Sequence, residues 1–285
     1  MSQARLMDGT ALARRMVEET AERAADLAER TGQAPCLATV LVGEDPASVT
    51  YVRMKRNRCR KAGIESRHVA LPAATTTEEL VGTLRTLSDD PAVHGILLQH
   101  PMGAHIDERA AFEAIAPEKD VDGVTFASFA TMSFGLPGFV SCTPGGIVRL
   151  LDEYDIDPAG RRAVVVGRSA ILGKPVGMLL LARDATVTYC HSRTRDLSAA
   201  VREADIVVAA VGRPRLIQGQ DIKPGAVVID AGYNPGNVGD VDFDSAVERA
   251  SLITPVPGGV GPMTIATLLE QTTDAAARQL GALGV

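Results

Sequence analysis

Aromatic side chains are scarce: the 285 residues include no tryptophan, four tyrosines and six phenylalanines. Cysteine is scarce too. Cys36, Cys59, Cys142 and Cys190 are scattered with no C-x-x-C pair. That pattern disfavours a zinc site or a disulfide framework and suits reduced thiols in a cytoplasmic protein. No apolar run reaches the roughly 18 residues of a membrane-spanning helix. Residues 1–15 carry Arg5, Asp8, Arg14 and Arg15 without an apolar segment, so secretion is not expected. Positive charge is not in excess: 29 Lys+Arg stand against 35 Asp+Glu, a net charge of −6. This argues against nucleic acid as a partner.

What is present is an ordinary globular balance, 46% hydrophobic and 22% charged. Cores of that size can offset chain entropy, which excludes disorder. At roughly 100–200 residues per domain, the length fits two domains or one large one. The 27 glycines stand out and recur at the ends of apolar runs.

Those runs alternate with amphipathic helices. The pattern predicts a helix over 12–30, a buried strand over 36–42 and a helix over 47–62 ended by Gly63. A short strand over 67–71, a helix from Thr77 (its N-cap) to Leu87, and a strand over 94–98 follow. Residues 125–138 are weakly patterned. A second series then gives strands over 163–166, 187–190, 206–211 and 227–229, with Leu252 and Ile253 as a short fifth. Helices over 173–182, 197–203 and 243–250 fit between them, and a long helix over 262–280 closes the chain. The expectation is an α/β protein with mainly parallel sheets and two α/β domains meeting near residues 123–145.

In the second series the run Val164-Val-Val-Gly-Arg-Ser-Ala-Ile-Leu-Gly-Lys-Pro175 takes an apolar strand into Gly167 and lets Gly173 open a helix. Glycine there allows backbone to approach a pyrophosphate at a helix N-terminus. The match to G-x-G-x-x-G is imperfect, since Ser169 holds the second glycine position. A βα turn that merely needs glycine is the alternative. The next strand bears on the cofactor: His191-Ser192-Arg193-Thr194-Arg195 follows it, with no acid before Asp196. Hydroxyls and cations there, with Arg168 nearby, suit a 2′-phosphate, so NADP is expected over NAD. Gly212 and Gly232 follow the next two strands, where open parallel sheets hold ligands. The turn Thr254-Pro-Val-Pro-Gly258-Gly259-Val-Gly-Pro262-Met-Thr264 is rigid and closely approachable, and also reads as a plain interdomain turn.

In the first series, Tyr51 and Lys55 lie at i, i+4 on one helix face. Arg53, Arg56, Arg58, Arg60 and Lys61 surround them. The group is either a solvated basic face or a site where an amine of lowered pKa exchanges protons. Gln99 ends a buried strand. Lys119-Asp120-Val121-Asp122-Gly123 places two carboxylates at i, i+2, pointing apart if extended, so one at most enters a site and either could simply shape a turn. His94, His100 and His105 lack a ligand spacing, and no metal is expected.

Together, Ser48-x-x-Tyr51-x-x-x-Lys55, GILLQHP around Gln99, KDVDG around Asp122, GRSAILGKP from Gly167 and TPVPGGVGPMT from Thr254 resemble the bifunctional methylenetetrahydrofolate dehydrogenase/cyclohydrolase family. The resemblance runs from Leu6-Met-Asp-Gly9 to the last helix. It implies two α/β domains with an active-site cleft between them. Residues 1–123 form the folate-binding catalytic domain, with helix 264–285 packed back on it, and 124–263 form a Rossmann-type NADP-binding domain. Lys55 matches the catalytic lysine, Tyr51 the tyrosine that stacks on folate, and Gln99 the glutamine that hydrogen-bonds the lysine. Asp122 matches the carboxylate that binds the pterin. Gly258, Gly259 and Pro262 match the turn lining the folate cleft. Gly167, Arg168, Ser169, Gly173, Ser192, Arg193, Gly212 and Gly232 become the cofactor-binding set. Tetrahydrofolate derivatives are the implied substrates and a homodimer the implied assembly. Two departures are His100, where the family more often has leucine, and Ala231-Gly-Tyr-Asn234 in place of V-G-I-N. With one aromatic residue in a catalytic motif, glycine-lined backbone must supply much of the fit to flat ligands.

Overall fold

The computed structural model describes residues 3–43 and 57–282. In chain order the elements are β1 Arg5–Leu6, α1 Gly9–Thr31, β2 Cys36–Val42, β3 Glu65–Leu71, α2 Thr77–Asp89, β4 Gly95–Leu98, α3 Glu108–Phe112, α4 Phe126–Ser133 and α5 Cys142–Glu153. There follow β5 Arg162–Val166, α6 Gly173–Leu181, β6 Thr186–Cys190, α7 Leu197–Arg202, β7 Ile206–Ala209, β8 Val227–Asp230, α8 Phe243–Ala246, β9 Leu252–Ile253 and α9 Val260–Gln279. Two compact units form. One comprises Arg15–Thr131, Pro137–Val140 and Ile265–Val285; the other comprises Met1–Arg14, Met132–Leu136 and Ser141–Thr264. Among the described residues no helix is long and apolar enough to cross a membrane.

The first unit is built on a parallel sheet of order β3-β2-β4. All seven residues of β2 are buried, as the continuous apolar run CLATVLV requires of a parallel strand covered on both faces. Val40, Val42, Ile96 and Leu98 pack with Leu80, Leu84 and Leu87, the i, i+4, i+7 stripe of α2. Each such fully buried side chain contributes about 1.5–3 kcal/mol by leaving water. The second unit carries a six-stranded parallel sheet of order β1-β9-β8-β7-β5-β6. Because β5 lies between β6 and β7, the chain winds both ways from it. Open α/β sheets take their ligands at such a switch point, outside the carboxyl ends of the strands.

Several boundaries differ from the sequence reading, each for a local reason. The N-cap of α2 is Thr76 rather than Thr77: its hydroxyl accepts from the Glu79 amide while the Glu79 carboxylate accepts from the Thr76 amide. The strand expected to reach Val211 ends at Ala209, because the Val211 amide turns to the Asp240 carboxylate at 2.6 Å. The helix expected over 243–250 is one turn, Phe243–Ala246, and the Val247 carbonyl accepts instead from Ala4 N. Helix α4 lies in the stretch read as weakly patterned. Helix α5 was hidden by Pro144, Gly145 and Gly146, yet Pro144 sits in its first turn, where no helical N–H is needed. Of the helix expected over 47–62, residues 57–61 are helical, Gly63 has φ 65°, and the remainder lies outside the described residues.

One buried group gives this fold a pH dependence. His94, fully buried just before β4, accepts from Cys36 N at Nδ1 (3.0 Å), and its Nε2 has no partner among the described residues. Burial holds the ring below the usual histidine pKa, the nearby Lys119 ammonium adds to this, and Glu65 opposes it. A folded-state pKa below the unfolded one means the native state binds fewer protons. Its stabilising effect is complete above about pH 6.5 and declines as pH falls below it. His94→Gln keeps an acceptor and removes the titration, so its denaturant midpoint should fall less steeply on acidification. Equal acid slopes for the two proteins would sink this account.

Candidate functional site

In the unit built on β2, Gln99 directly follows β4 and is buried; its amide donates to the Val40 carbonyl at 2.8 Å and its side-chain nitrogen to the His100 carbonyl at 2.7 Å. Neighbouring His100 is exposed, its Nδ1 2.7 Å from the Glu108 carboxylate. The KDVDG segment separates its two acids. Asp120 is fully buried and accepts from Val124 N, Thr125 N (2.8 Å) and the Ser128 hydroxyl (2.6 Å). Its oxygens are thus occupied in holding the turn, while Asp122 is half-buried.

Two features place that turn beside β4. A Cβ on Gly95 would lie 2.8 Å from Val121, so glycine is needed where the strand meets the turn. Gln271 of α9 then binds the turn, donating to the carbonyls of Val121 (2.8 Å) and Val140 (3.0 Å) while accepting from Val140 N. Gln279, two turns on, donates to the carbonyls of His94 and Glu118. Lys119 of the same segment is buried and donates to the Asp90 carbonyl at 2.7 Å, and burial lowers its pKa. Tyr51 and Lys55, the expected stacking and catalytic pair, lie outside the described residues.

The other unit gathers the residues expected to bind a dinucleotide. Gly167 ends β5 with φ 138°, a conformation reserved for glycine, and a Cβ there would lie 2.3 Å from the Ala210 carbonyl oxygen. Its amide donates to the Cys190 carbonyl at the end of β6 (2.9 Å). At Gly173 a Cβ would meet the Gly167 backbone at 2.6 Å. The Ser169 hydroxyl accepts from Gly173 N, at the N-terminus of α6. After β6, Thr194 accepts from His191 N and His191 Nδ1 accepts from Arg193 N, forming a tight turn that leaves Ser192 and Arg193 exposed. Asp196, the first acid after the strand, accepts from Ala199 N as the N-cap of α7. Arg168, Ser169 and Gly212 are exposed at the same sheet end, whereas Gly232 is buried against Asp240.

These residues fit NADP on three counts. Backbone can approach a pyrophosphate wherever a Cβ would be excluded, a helix N-terminus favours its charge, and hydroxyl and guanidinium groups replace the acid that would repel a 2′-phosphate. A further signal in the sequence, Gly177, was missed. A Cβ there would meet the Tyr189 hydroxyl, which donates to the Lys174 carbonyl, so this glycine sets the approach of α6 to β6. Two acids had no signal at all. Asp230 ends β8 and Asp240 lies in the loop that follows it; both are buried, and burial pushes the Asp230 carboxyl up to about 6 against three backbone N–H donors.

The glycine–proline turn belongs to this unit. Gly258 has φ 106°, and its carbonyl accepts from Thr10 N at 2.9 Å. Gly259 is buried, where a Cβ would meet the Pro255 carbonyl at 2.6 Å, and Pro262 lies in the first turn of α9. The turn rests on the start of α1: a Cβ on Gly9 would fall 1.8 Å from the Gly259 carbonyl oxygen. Asp8 caps that helix start by accepting from Ala11 N, and its own amide donates to the Tyr154 hydroxyl. Tyr233 is exposed and its hydroxyl donates to the Asn237 side chain.

Comparison with known proteins agrees with this geometry. Residues 7–122 match the tetrahydrofolate dehydrogenase/cyclohydrolase catalytic domain, and residues 141–280 match the NAD(P)-binding domain of the same family. The chain is 81% identical to the bifunctional protein FolD 1 of Streptomyces avermitilis, over 98% of this chain and 97% of that protein. The crystal structure of bifunctional FolD, a methylenetetrahydrofolate dehydrogenase/cyclohydrolase from Campylobacter jejuni, superposes with a TM-score of 0.94 at 43% identity, covering 96% of this chain and 99% of that one. The Trypanosoma brucei dehydrogenase-cyclohydrolase, solved with NADP cofactor and inhibitor, gives 0.94 at 40% identity over 98% and 99%. The chain therefore belongs to the tetrahydrofolate dehydrogenase/cyclohydrolase family.

Proposed function

We propose that this protein oxidises 5,10-methylenetetrahydrofolate with NADP and then hydrolyses the methenyl product to 10-formyltetrahydrofolate. The observation that carries the reading is that one chain matches both the catalytic and the NAD(P)-binding domains of a dehydrogenase/cyclohydrolase family. In this reading residues 1–123, with the closing helix 264–285, handle folate, and residues 124–263 hold the cofactor. NADP, when bound, accepts the hydride from the methylene carbon. N5 and N10 of the substrate stabilise the cation left behind, so the protein's share of oxidation is alignment. Hydrolysis asks more of the chain. Water adds to the methenyl carbon, the bond to N5 breaks, and N5 takes a proton. Lys55 carries these proton transfers, Gln99 hydrogen-bonds the lysine, Tyr51 stacks on the folate and Asp122 binds the pterin nitrogens. Gly258, Gly259 and Pro262 line the folate.

Arg168, Ser192 and Arg193 hold the 2′-phosphate, while Gly167, Ser169 and Gly173 admit the pyrophosphate and Gly212 and Gly232 shape the adjoining loops. The protein works in the cytoplasm as a homodimer, without nucleic acid or membrane partners; its net charge of −6 supports the former exclusion. The test is to supply methylenetetrahydrofolate and NADP and follow NADPH and methenyltetrahydrofolate together. NADPH should appear while the methenyl species is consumed faster than it decays spontaneously, and KM should be lower for NADP than for NAD. Methenyl decay at the spontaneous rate would reduce the activity to oxidation alone, and a preference for NAD would overturn the 2′-phosphate assignment.

A further inference from the structure

We propose that Asp240 is a positioning residue for the dinucleotide, its buried carboxylate fixing the Val211–Arg213 loop beside the Gly167–Gly173 loop. The inference rests on the NADP reading above and deepens it. Strand β7 leaves the sheet at Ala209, and the next three amides with free choice of partner converge on one side chain. Val211 N and Gly212 N donate to Asp240 Oδ2 at 2.6 and 2.9 Å, and Arg213 N donates to Oδ1 at 2.8 Å. The Asn234 side-chain nitrogen adds a fourth bond to Oδ1 at 3.1 Å. Four donors on two oxygens require a group that only accepts, which among side chains means a carboxylate.

Asp240 has no exposed surface and forms no ion pair among the described residues. Its own amide donates to Asp230 Oδ1 at 3.0 Å, and Asp230 also accepts from Gly232 N and Val241 N. The loop after β7 is thereby tied to the end of β8. Little else shapes it: Gly212 has φ 65° with nothing within 4 Å of its Cβ position, and Arg213 and Pro214 are exposed. On its other side the loop adjoins the phosphate-binding turn, since Gly167 is packed on the Ala210 carbonyl. These are the loops at the carboxyl ends of β5 and β7, the switch point where a doubly wound sheet meets its ligand. Loss of the carboxylate therefore frees a cofactor loop without touching the β2 unit that carries Gln99 and Asp122.

The test compares the unsubstituted protein with Asp240→Asn, which turns an amide NH2 toward donors, and with Asn234→Ala. Asn234→Ala removes one donor from Asp240 Oδ1 and leaves the carboxylate with its charge intact but less firmly placed. NADPH binding is read by fluorescence titration, oxidation by kcat and KM for NADP, and hydrolysis with methenyltetrahydrofolate added directly, a reaction that needs no NADP. Asp240→Asn should bind NADPH at least about tenfold more weakly and Asn234→Ala at least about threefold, each raising KM for NADP, with hydrolysis unchanged within about twofold. If Asp240→Asn does not fold, Asn234→Ala decides. NADPH affinity unchanged in both variants would overturn the proposal, as would hydrolysis falling in step with NADPH binding, the mark of a merely structural role. Failure of the unsubstituted protein to bind NADPH would overturn the underlying reading, and the proposal with it.

Discussion

Lys55→Met is expected to reduce hydrolysis of methenyltetrahydrofolate to its spontaneous rate while NADP-dependent oxidation persists. The two halves of the reaction differ in what they ask of a protein. Hydride departure leaves a cation that the substrate's own nitrogens stabilise, so oxidation survives wherever the reactants are still aligned. Hydrolysis must take protons from water and deliver one to the departing N5, and a positioned acid–base group accelerates such a step by about 10²–10⁴-fold. Methionine keeps the length and apolar body of lysine and removes only the amine, so binding should suffer least. Arg53, Arg56, Arg58, Arg60 and Lys61 crowd the sequence around Lys55 with no acid between 53 and 61. Cations that face an ammonium lower its pKa toward the range where it exchanges protons at neutral pH, which is the condition this role sets on the lysine. Gln99→Leu should shift the ratio the same way, costing hydrolysis more than oxidation. Hydrolysis by Lys55→Met clearly above the spontaneous rate would remove the lysine from the mechanism, and equal losses in both activities for Gln99→Leu would remove the glutamine.

Gly9→Ala should be the most damaging single-methyl addition among the described residues at the glycine–proline turn. Its Cβ would sit 1.8 Å from the Gly259 carbonyl oxygen and 3.2 Å from that of Gly258. Backbone cannot swing aside as a side chain would, so either the start of α1 lifts or the turn shifts, breaking the Thr10 N to Gly258 O bond. Overpacking of this kind costs about 1–3 kcal/mol, and the lost hydrogen bond about 1 kcal/mol more. A lower urea midpoint should accompany a raised KM for methylenetetrahydrofolate, because the displaced turn is the one proposed to line the folate. Unchanged stability would show that Gly9 and Gly259 are not in contact. Lower stability with unchanged KM would separate the turn from folate binding.

Much of this was legible along the chain. The run VVVGRSAILGKP announces strand, turn and helix by composition alone, and its glycines prove to stand where Cβ atoms would meet backbone. The absence of an acid before Asp196 was equally local, and the structure shows that acid engaged as a helix cap. KDVDG was readable as a pair of carboxylates, but the division of labour was not. That Asp120 holds the turn depends on Thr125 and Ser128 folding over it. Helix α5 was obscured because Pro144 and two glycines look like breakers until their place in the first turn is known.

The sequence by itself determined the parallel α/β architecture, the glycine-lined cofactor turn and the family. These depend on hydrophobic period and short motifs, which are encoded within a few residues of one another. Only the tertiary structure decided which groups hold those motifs in place. Asp240 reaches the Arg213 amide across 27 residues, Gln271 reaches the Val121 carbonyl across 150, and the turn at Gly258 meets Thr10 across 248. Each is a side chain or glycine chosen to suit a distant backbone group. Backbone groups are the same at every position, so such a pairing leaves no mark in the local sequence.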